Sequence, residues 1–182
     1  ETLIEEIPAE RESRFNDVIA DPQGRVFCGT MPSATELGRL YRLDPDRSLH
    51  LLLEGINISN GLGFTPDQKG LYYTESVARK IYYFDYDIDT GEISEQRIWK
   101  EVPPDEGVPD GLTVDADGFI WSARWDGSAV YKYAPTGENV LKIEIPAQKV
   151  TSITFGCESL NNLYVTTALN GGNKETEGEG AG

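Results

Sequence analysis

Four segments of this chain share one pattern, and their spacing limits the folds it can reach. They are "NDVIADPQGRVFCGTM" from Asn16, "NGLGFTPDQKGLYYTES" from Asn60, "DGLTVDADGFIWSARW" from Asp110 and "TSITFGCESLNNLYVTTA" from Thr151. Their starts lie 44, 50 and 41 residues apart. Each opens on a polar residue, runs through an alternating apolar strand, turns at a cluster of Asp, Pro, Gly or Asn, and returns as a second apolar strand. The alternation has the period of two that places successive side chains on opposite faces of a sheet. Further strand-turn-strand pairs lie between the segments: "GRLYRLDPDRSLHLLLEG", "KIYYFDYDIDTGEISEQRIWKEV" and "AVYKYAPTGENVLKIEIP". The Thr-Gly pairs of the last two are favourable turn chemistry. No long helical pattern competes. A unit is then four strands in about 40 to 50 residues, the period of a β-propeller blade.

The expected fold is therefore all-β, a β-propeller of about three to four blades. Residues 1–168 form the partial propeller, with inner strands starting near 16, 60, 110 and 151. Residues 169–182, "LNGGNKETEGEGAG", read as a Gly/Glu-rich loop or disordered tail. A propeller closes on itself to hide its edge strands. The 182 residues hold fewer than four whole blades of this size, so the chain reads as an arc of a larger ring. Further blades or another copy would complete it, and self-association through open edges is expected.

Charge and composition narrow the function. There are 31 Asp plus Glu against 16 Lys plus Arg, a net charge of −15. That balance argues against nucleic acid and against anionic membranes as partners. The chain has no apolar run of transmembrane length and no basic leader at its start. Cys28 and Cys157 match no metal spacing, and each, near a β-like run, reads as a buried free thiol. A cytoplasmic location is the expectation. His50, the single histidine, lies in "RSLHLLLEG", an apparent outer strand, which argues against a Ser-His or Cys-His nucleophile.

The polar openings of the repeats are the candidate site. The innermost strand of a blade lines the central channel, so Asn16, Asn60 and Asp110 would converge at one mouth from neighbouring blades. Two readings stand. Asn, Asp and Gly before a strand are ordinary turn chemistry. Two amides and a carboxylate are also a donor set for a hard cation such as Ca²⁺, Mg²⁺ or Mn²⁺. The set lacks the His and Cys of an ordinary zinc site. Asp17 is a further base or ligand candidate, or a turn residue. The run Asp85, Asp87, Asp89 suggests a calcium loop, but Thr90 stands where that loop needs Gly, and a hairpin explains it better. Arg124 and Trp125 either wall the channel mouth or pack between blades.

Five motifs in order carry a resemblance: "RFND...DP.GR.F.GTM", "ISNGL.F..D...LYYTES", "FDYD..TG.IS..R", "VPDGLTVDADG.IWSARW" and "TS.TFG......LYVTTA". From about Arg14 to Ala168 they resemble the SMP-30/gluconolactonase family, also called regucalcin or senescence marker protein 30. The resemblance implies a six-bladed propeller, one divalent cation in its channel (Ca, Zn, Mn or Mg) and hydrolysis of sugar lactones. By motif, Asn60 of "SNGL" and Asp110 of "PDGL" match family metal ligands. Arg14 and Asn16 of "RFND" match residues that contact the substrate. The family's remaining ligand is a Glu of its first blade in an "EGP" or "ESP" motif, which has no counterpart here. The loop after "GTM" matches the family's lid, with Glu36 as its candidate.

In such a site the cation acts as a Lewis acid on the lactone carbonyl. Arg14 orients sugar hydroxyls or supports the developing oxyanion. Asp110 ligates and also takes a proton from the attacking water, which makes it the candidate catalytic residue. The alternative is a non-catalytic calcium-binding propeller module or scaffold fragment. A related propeller hydrolase of phosphotriesters or aryl esters is a third reading.

Overall fold

A computed structural model of the chain describes residues 2–182. The first sheet holds β1 (Phe15–Ala20), β2 (Val26–Thr30), β3 (Gly38–Leu43) and β4 (Leu49–Ile56) in that order. The second holds β5 (Ser59–Phe64), β6 (Gly70–Glu75), β7 (Lys80–Tyr86) and β8 (Ile93–Glu101). The third holds β9 (Val108–Val114), β10 (Ile120–Trp125), β11 (Ala129–Tyr133) and β12 (Asn139–Glu144). A two-stranded sheet follows, β13 (Lys149–Gly156) with β14 (Asn162–Ala168). Neighbouring strands within each sheet pair antiparallel, and β1, β5, β9 and β13 lie side by side as inner strands. The fold is a partial β-propeller of three four-stranded blades and a two-stranded piece of a fourth.

Burial on both faces of each blade explains its apolar content. In β6, Tyr73 enters the core between the first two blades, with Phe27, Leu40 and Phe84. Its neighbour Tyr72 enters the next core, with Leu112, Ile120 and Tyr133. In β10, Trp121 faces Val150 and Ile153 of the fourth sheet, while Ile120 faces back. A strand alternates sides, so a blade clamped between two others buries residues of both faces, and a few polar ones such as Thr74 and Glu75 with them. All of β6 is buried accordingly.

The "Asp-Pro-x-Gly" turn at Asp21 is built by its carboxylate, which also fastens the first blade to the second. Asp21 Oδ1 accepts from the N–H of Gln23 (2.9 Å) and of Arg25 (2.8 Å), which builds the turn between β1 and β2. Its other oxygen accepts from Arg25 Nε (2.6 Å) and from the Tyr86 hydroxyl of the second blade (2.6 Å). Arg25 also donates to the carbonyls of Ile88 and Asp89 across the same seam. Asp115 repeats the turn device within the third blade. It accepts from Asp117 N (3.1 Å), Phe119 N (2.9 Å) and Trp121 Nε1 (2.9 Å). In the second blade Thr65 takes the place of Asp, its hydroxyl accepting from Gly70 N at 2.9 Å.

Other expectations sort as follows. Asp87 Oδ1 accepts from Asp89 N (2.8 Å) and Thr90 N (3.1 Å), a hairpin turn closed by Gly91. Cys28 is buried in β2, but Cys157 is exposed. It sits in the tight turn between β13 and β14 at φ +70°, outside both sheet faces. Residues 169–182 carry α1 (Lys174–Glu177), one turn capped by Asn173 Oδ1 at 3.0 Å from Thr176 N. The buried Glu177 pairs with Lys149 Nζ at 2.6 Å, and Thr167 Oγ1 donates to Gly180 O at 2.7 Å. Among the described residues no helix is long and apolar enough to cross a membrane.

The Asp21–Arg25–Tyr86 seam generates a prediction. Asp21→Ala leaves a buried guanidinium without its carboxylate, which destabilises the fold by about 3–5 kcal/mol in urea denaturation at neutral pH. Burial pushes the Asp21 carboxyl up, but hydrogen bonds from Tyr86 and Arg25 outweigh it and hold it below its ordinary value. Its contribution is therefore present above the unfolded-state pKa of about 4 and is lost as pH falls through the depressed folded pKa. The variant should flatten that acid limb.

Candidate functional site

The four inner strands share an irregularity at one height. Pairing of β1 with β2 breaks between Phe15 and Val18, which sets Asn16 and Asp17 out of register. Pairing of β5 with β6 breaks between Ser59 and Leu62, around Asn60 and Gly61. β9 is interrupted at Asp110 and Gly111, and β13 at Thr151. A bulge re-aims a side chain away from the ladder, and here each points a repeat's opening residue at the same space.

Glycine follows Asn60 and Asp110 because the next strand passes there. A Cβ on Gly61 would stand 2.3 Å from Leu112 N, and one on Gly111 would stand 2.7 Å from Thr151 O. Any side chain would push the inner strands apart. At the equivalent place in the first repeat stands Asp17.

The residues meet in one cavity of about 790 Å³. Arg14, Asn16, Asp17, Asn60, Ser76 and Asp110 all line it. The expected ligand and substrate residues Arg14, Asn16, Asn60 and Asp110 therefore line one cavity together with Asp17. Arg14 Nη1 donates to Asn16 Oδ1 (3.1 Å), and Asn16 Nδ2 donates to Ser59 O (2.8 Å). Asn60 Nδ2 donates to Ser76 Oγ (3.0 Å). Trp125 also lines the cavity, whereas Arg124 is fully buried behind it, donating to Ser122 Oγ and Tyr133 Oη. Glu36 is turned instead to Arg39, 2.6 Å away.

Electrostatics set Asp110 apart. Burial pushes its carboxyl up, the Asp17 charge adds to the rise, and the Gly111 N–H and Asn60 amide oppose it, leaving it at about 7. Burial also raises Asp17, against the Val18 N–H that donates to it at 2.7 Å. The two arginines of the cavity are committed elsewhere. Arg14 serves Asn16 and the Phe15 carbonyl, and Arg79 serves the carbonyls of Val102, Pro103 and Gly107. Two like charges thus share a half-buried cavity, which favours protonation of one or capture of a cation. The donors are all oxygen, as a hard divalent cation requires. Among the described residues no group of three or more His, Cys, Asp or Glu converges, so any cation here takes its remaining donors from amide, backbone or water oxygens.

The family described as the "SMP-30/Gluconolactonase/LRE-like region" matches residues 1–169. The chain belongs to that family. Pentonolactonase XacC of Haloferax volcanii is 50% identical over 168 residues, covering 92% of this chain and 57% of that protein. Regucalcin of Danio rerio is 37% identical over 176 residues, covering 93% and 59%. Among solved structures, a calcium-binding protein, regucalcin, from Agrobacterium tumefaciens matches at TM-score 0.84 with 27% identity, over 91% of this chain and 57% of that one. The chain spans a little under three fifths of the length of these relatives.

Sequence reasoning missed Ser76. The signal was present, because Met31, Ser76 and Trp125 end equivalent segments of three repeats and all line the cavity. It also left open that Asp17 and Asp110 act on each other. That coupling has a direct test in the metal-free protein. Asp17→Asn removes the like charge, so the Asp110 pKa should fall from about 7 toward its ordinary 3.8 without reaching it, since burial remains. Carboxyl ¹³C NMR titration reads this, and an unmoved Asp110 would show that the two carboxylates do not interact.

Proposed function

We propose that this chain carries the site of a divalent-metal-dependent hydrolase of sugar lactones. The observation that supports it most is the convergence of Asn60 and Asp110, from equivalent bulges of successive blades, on a cavity also lined by Arg14 and Asn16. The lactonase named among its relatives supports the substrate class. In this reading Asn60 and Asp110 hold one divalent cation, Ca, Zn, Mn or Mg, and Arg14 and Asn16 hold the substrate. Lewis acidity at the lactone carbonyl is what such a cation supplies when bound.

The chain's own groups do the rest. Arg14, locked to Asn16, presents a fixed positive charge to ring hydroxyls and to the developing oxyanion. Asp110 accepts the proton of the attacking water, the task of a carboxylate that lines the cavity as a general base. The cavity admits a small cyclic sugar, and a lactone needs no polymer groove. The net charge of −15 argues against nucleic acid and anionic membranes as partners. Unpaired thiols at Cys28 and Cys157 fit a reducing compartment such as the cytoplasm. Val18 on β1 and Tyr164 on β14 are exposed apolar residues at the two ends of the arc, and we expect self-association there, read as a concentration-dependent mass in sedimentation.

A calcium-binding module without turnover is the second reading. That no three His, Cys, Asp or Glu side chains converge among the described residues favours it, as does the calcium-binding protein among the matched structures. Titration with Ca²⁺, Mn²⁺, Zn²⁺ and Mg²⁺ beside a lactone hydrolysis assay separates the two. Binding with turnover supports the hydrolase, binding alone supports the module, and no binding rejects both. Asp110→Ala should weaken the cation more than Asn16→Ala, because it removes an anionic donor.

The pH dependence follows from Asp110. Its folded pKa of about 7 lies above its ordinary 3.8. Its favourable contribution to the metal-free fold is complete at low pH and is lost as pH rises through about 7. A cation that replaces the proton should therefore raise the melting temperature more at pH 8 than at pH 5. Equal shifts at both would count against Asp110 as a ligand.

A further inference from the structure

Ser76 follows β6 and is buried at 4% exposure, yet it lines the cavity. Its backbone is fixed on both sides: its N–H donates to Ile58 O (3.1 Å), and its carbonyl accepts from Arg79 N (3.0 Å). Its hydroxyl joins two blades. Oγ donates to Pro109 O at 2.7 Å and accepts from Asn60 Nδ2 at 3.0 Å. Pro109 directly precedes Asp110, so this one oxygen stands between the side chain of Asn60 and the backbone of Asp110.

We propose that Ser76 is a positioning residue that decides which atom of the Asn60 amide is offered to the cavity. The reason is a count of protons. A serine hydroxyl has one proton, and a carbonyl can only accept. Pro109 O therefore commits the Ser76 proton. What Ser76 turns to Asn60 is a lone pair, and only the NH₂ end of the amide can meet it. With the amide reversed, two acceptors would face each other in a buried place. The Asp110 carboxylate also accepts from this amide, so two acceptors hold its nitrogen, and the amide oxygen of Asn60 is held on the side away from Ser76. Asn16 shows the opposite state, because its oxygen is engaged by Arg14 and its nitrogen by Ser59 O. The same amide side chain at equivalent repeat positions is prepared for two different tasks.

The consequence for cation binding rests on the reading of Asn60 as a ligand, but the orientation itself does not. Outer partners that orient a ligand typically change metal affinity by about 10–100-fold when removed. Ser76→Thr and Ser76→Val introduce side chains of the same shape that differ in the hydroxyl. In the metal-free protein, ¹H–¹⁵N spectra report the Asn60 side-chain amide, assigned by its loss in Asn60→Ala. Its protons should exchange slowly with water in the parent and in Ser76→Thr, and faster in Ser76→Val. Mn²⁺ titration followed by electron paramagnetic resonance should show about 10–100-fold weaker binding in Ser76→Val, with Ser76→Thr close to the parent. Ser76→Ala, which adds no bulk, replaces Ser76→Val if thermal unfolding shows that the latter does not fold. An Asn60 amide that is the same with and without the hydroxyl overturns the proposal, as does unchanged Mn²⁺ affinity. A parent that binds no Mn²⁺ would reject the functional reading, while the amide spectra still decide the role of Ser76.

Discussion

The close approach of the inner strands governs this structure. β5 and β9 meet backbone to side-chain root at Gly61, and β9 and β13 meet the same way at Gly111. That contact draws three blades and the start of a fourth around a common centre. It also fixes where a donor can be. The residue before each glycine lies in a bulge, off the ladder and facing the centre, while the glycine itself yields space to the neighbour. Packing and chemistry are therefore two sides of one dipeptide. Asn60-Gly61 and Asp110-Gly111 each spend one residue on closure and one on the cavity.

Asp17 shows what happens when the pattern is relaxed. It occupies the place of those glycines in the first repeat and adds a further carboxylate to the cavity. Its charge, after burial, is what holds Asp110 near neutrality. The arginines nearby do not relieve this, because Arg79 anchors the backbone leading to Asp110 and Arg14 anchors Asn16. The cavity is thus rigid where its walls are made and electrostatically unbalanced where its donors are.

The parts of this that were legible in the sequence are those carried by periodicity. Alternation in "VDADGFIWSARW" and its counterparts marks the strands, and the register of the repeats equates Asn16, Asn60 and Asp110 without any coordinates. The motifs around Arg14 and Asn60 carry the family. What escaped depends on distances between segments far apart in the chain. Nothing local to Ser76 says that Pro109, 33 residues on, will accept its proton. Cys157, near a β-like run, reads as a buried thiol, but the turn at "GCESLNN" carries it out to solvent. The polar run after Ala168 gave no periodic signal, yet Asn173 caps a single helical turn whose Glu177 finds Lys149.

The turn at Asp21 lies at the end of β1 remote from Asn16 and Asp17. Its counterparts at Thr65 and Asp115 also follow the far ends of their inner strands. One rim of the arc is thus a fastening rim, where carboxylates and a hydroxyl are consumed in holding turns and seams. The other is a working rim, where oxygens are left to face an open space. Five positions along the strand separate the two in each repeat, Asn16 from Asp21, Asn60 from Thr65 and Asp110 from Asp115. Changes at the fastening rim can alter how firmly the blades are held while leaving the working oxygens in place. Exchange of a residue at the working rim alters what is recognised, while the seams stay intact. Robustness and specificity are written at opposite ends of the same strands, so each can drift without dragging the other along.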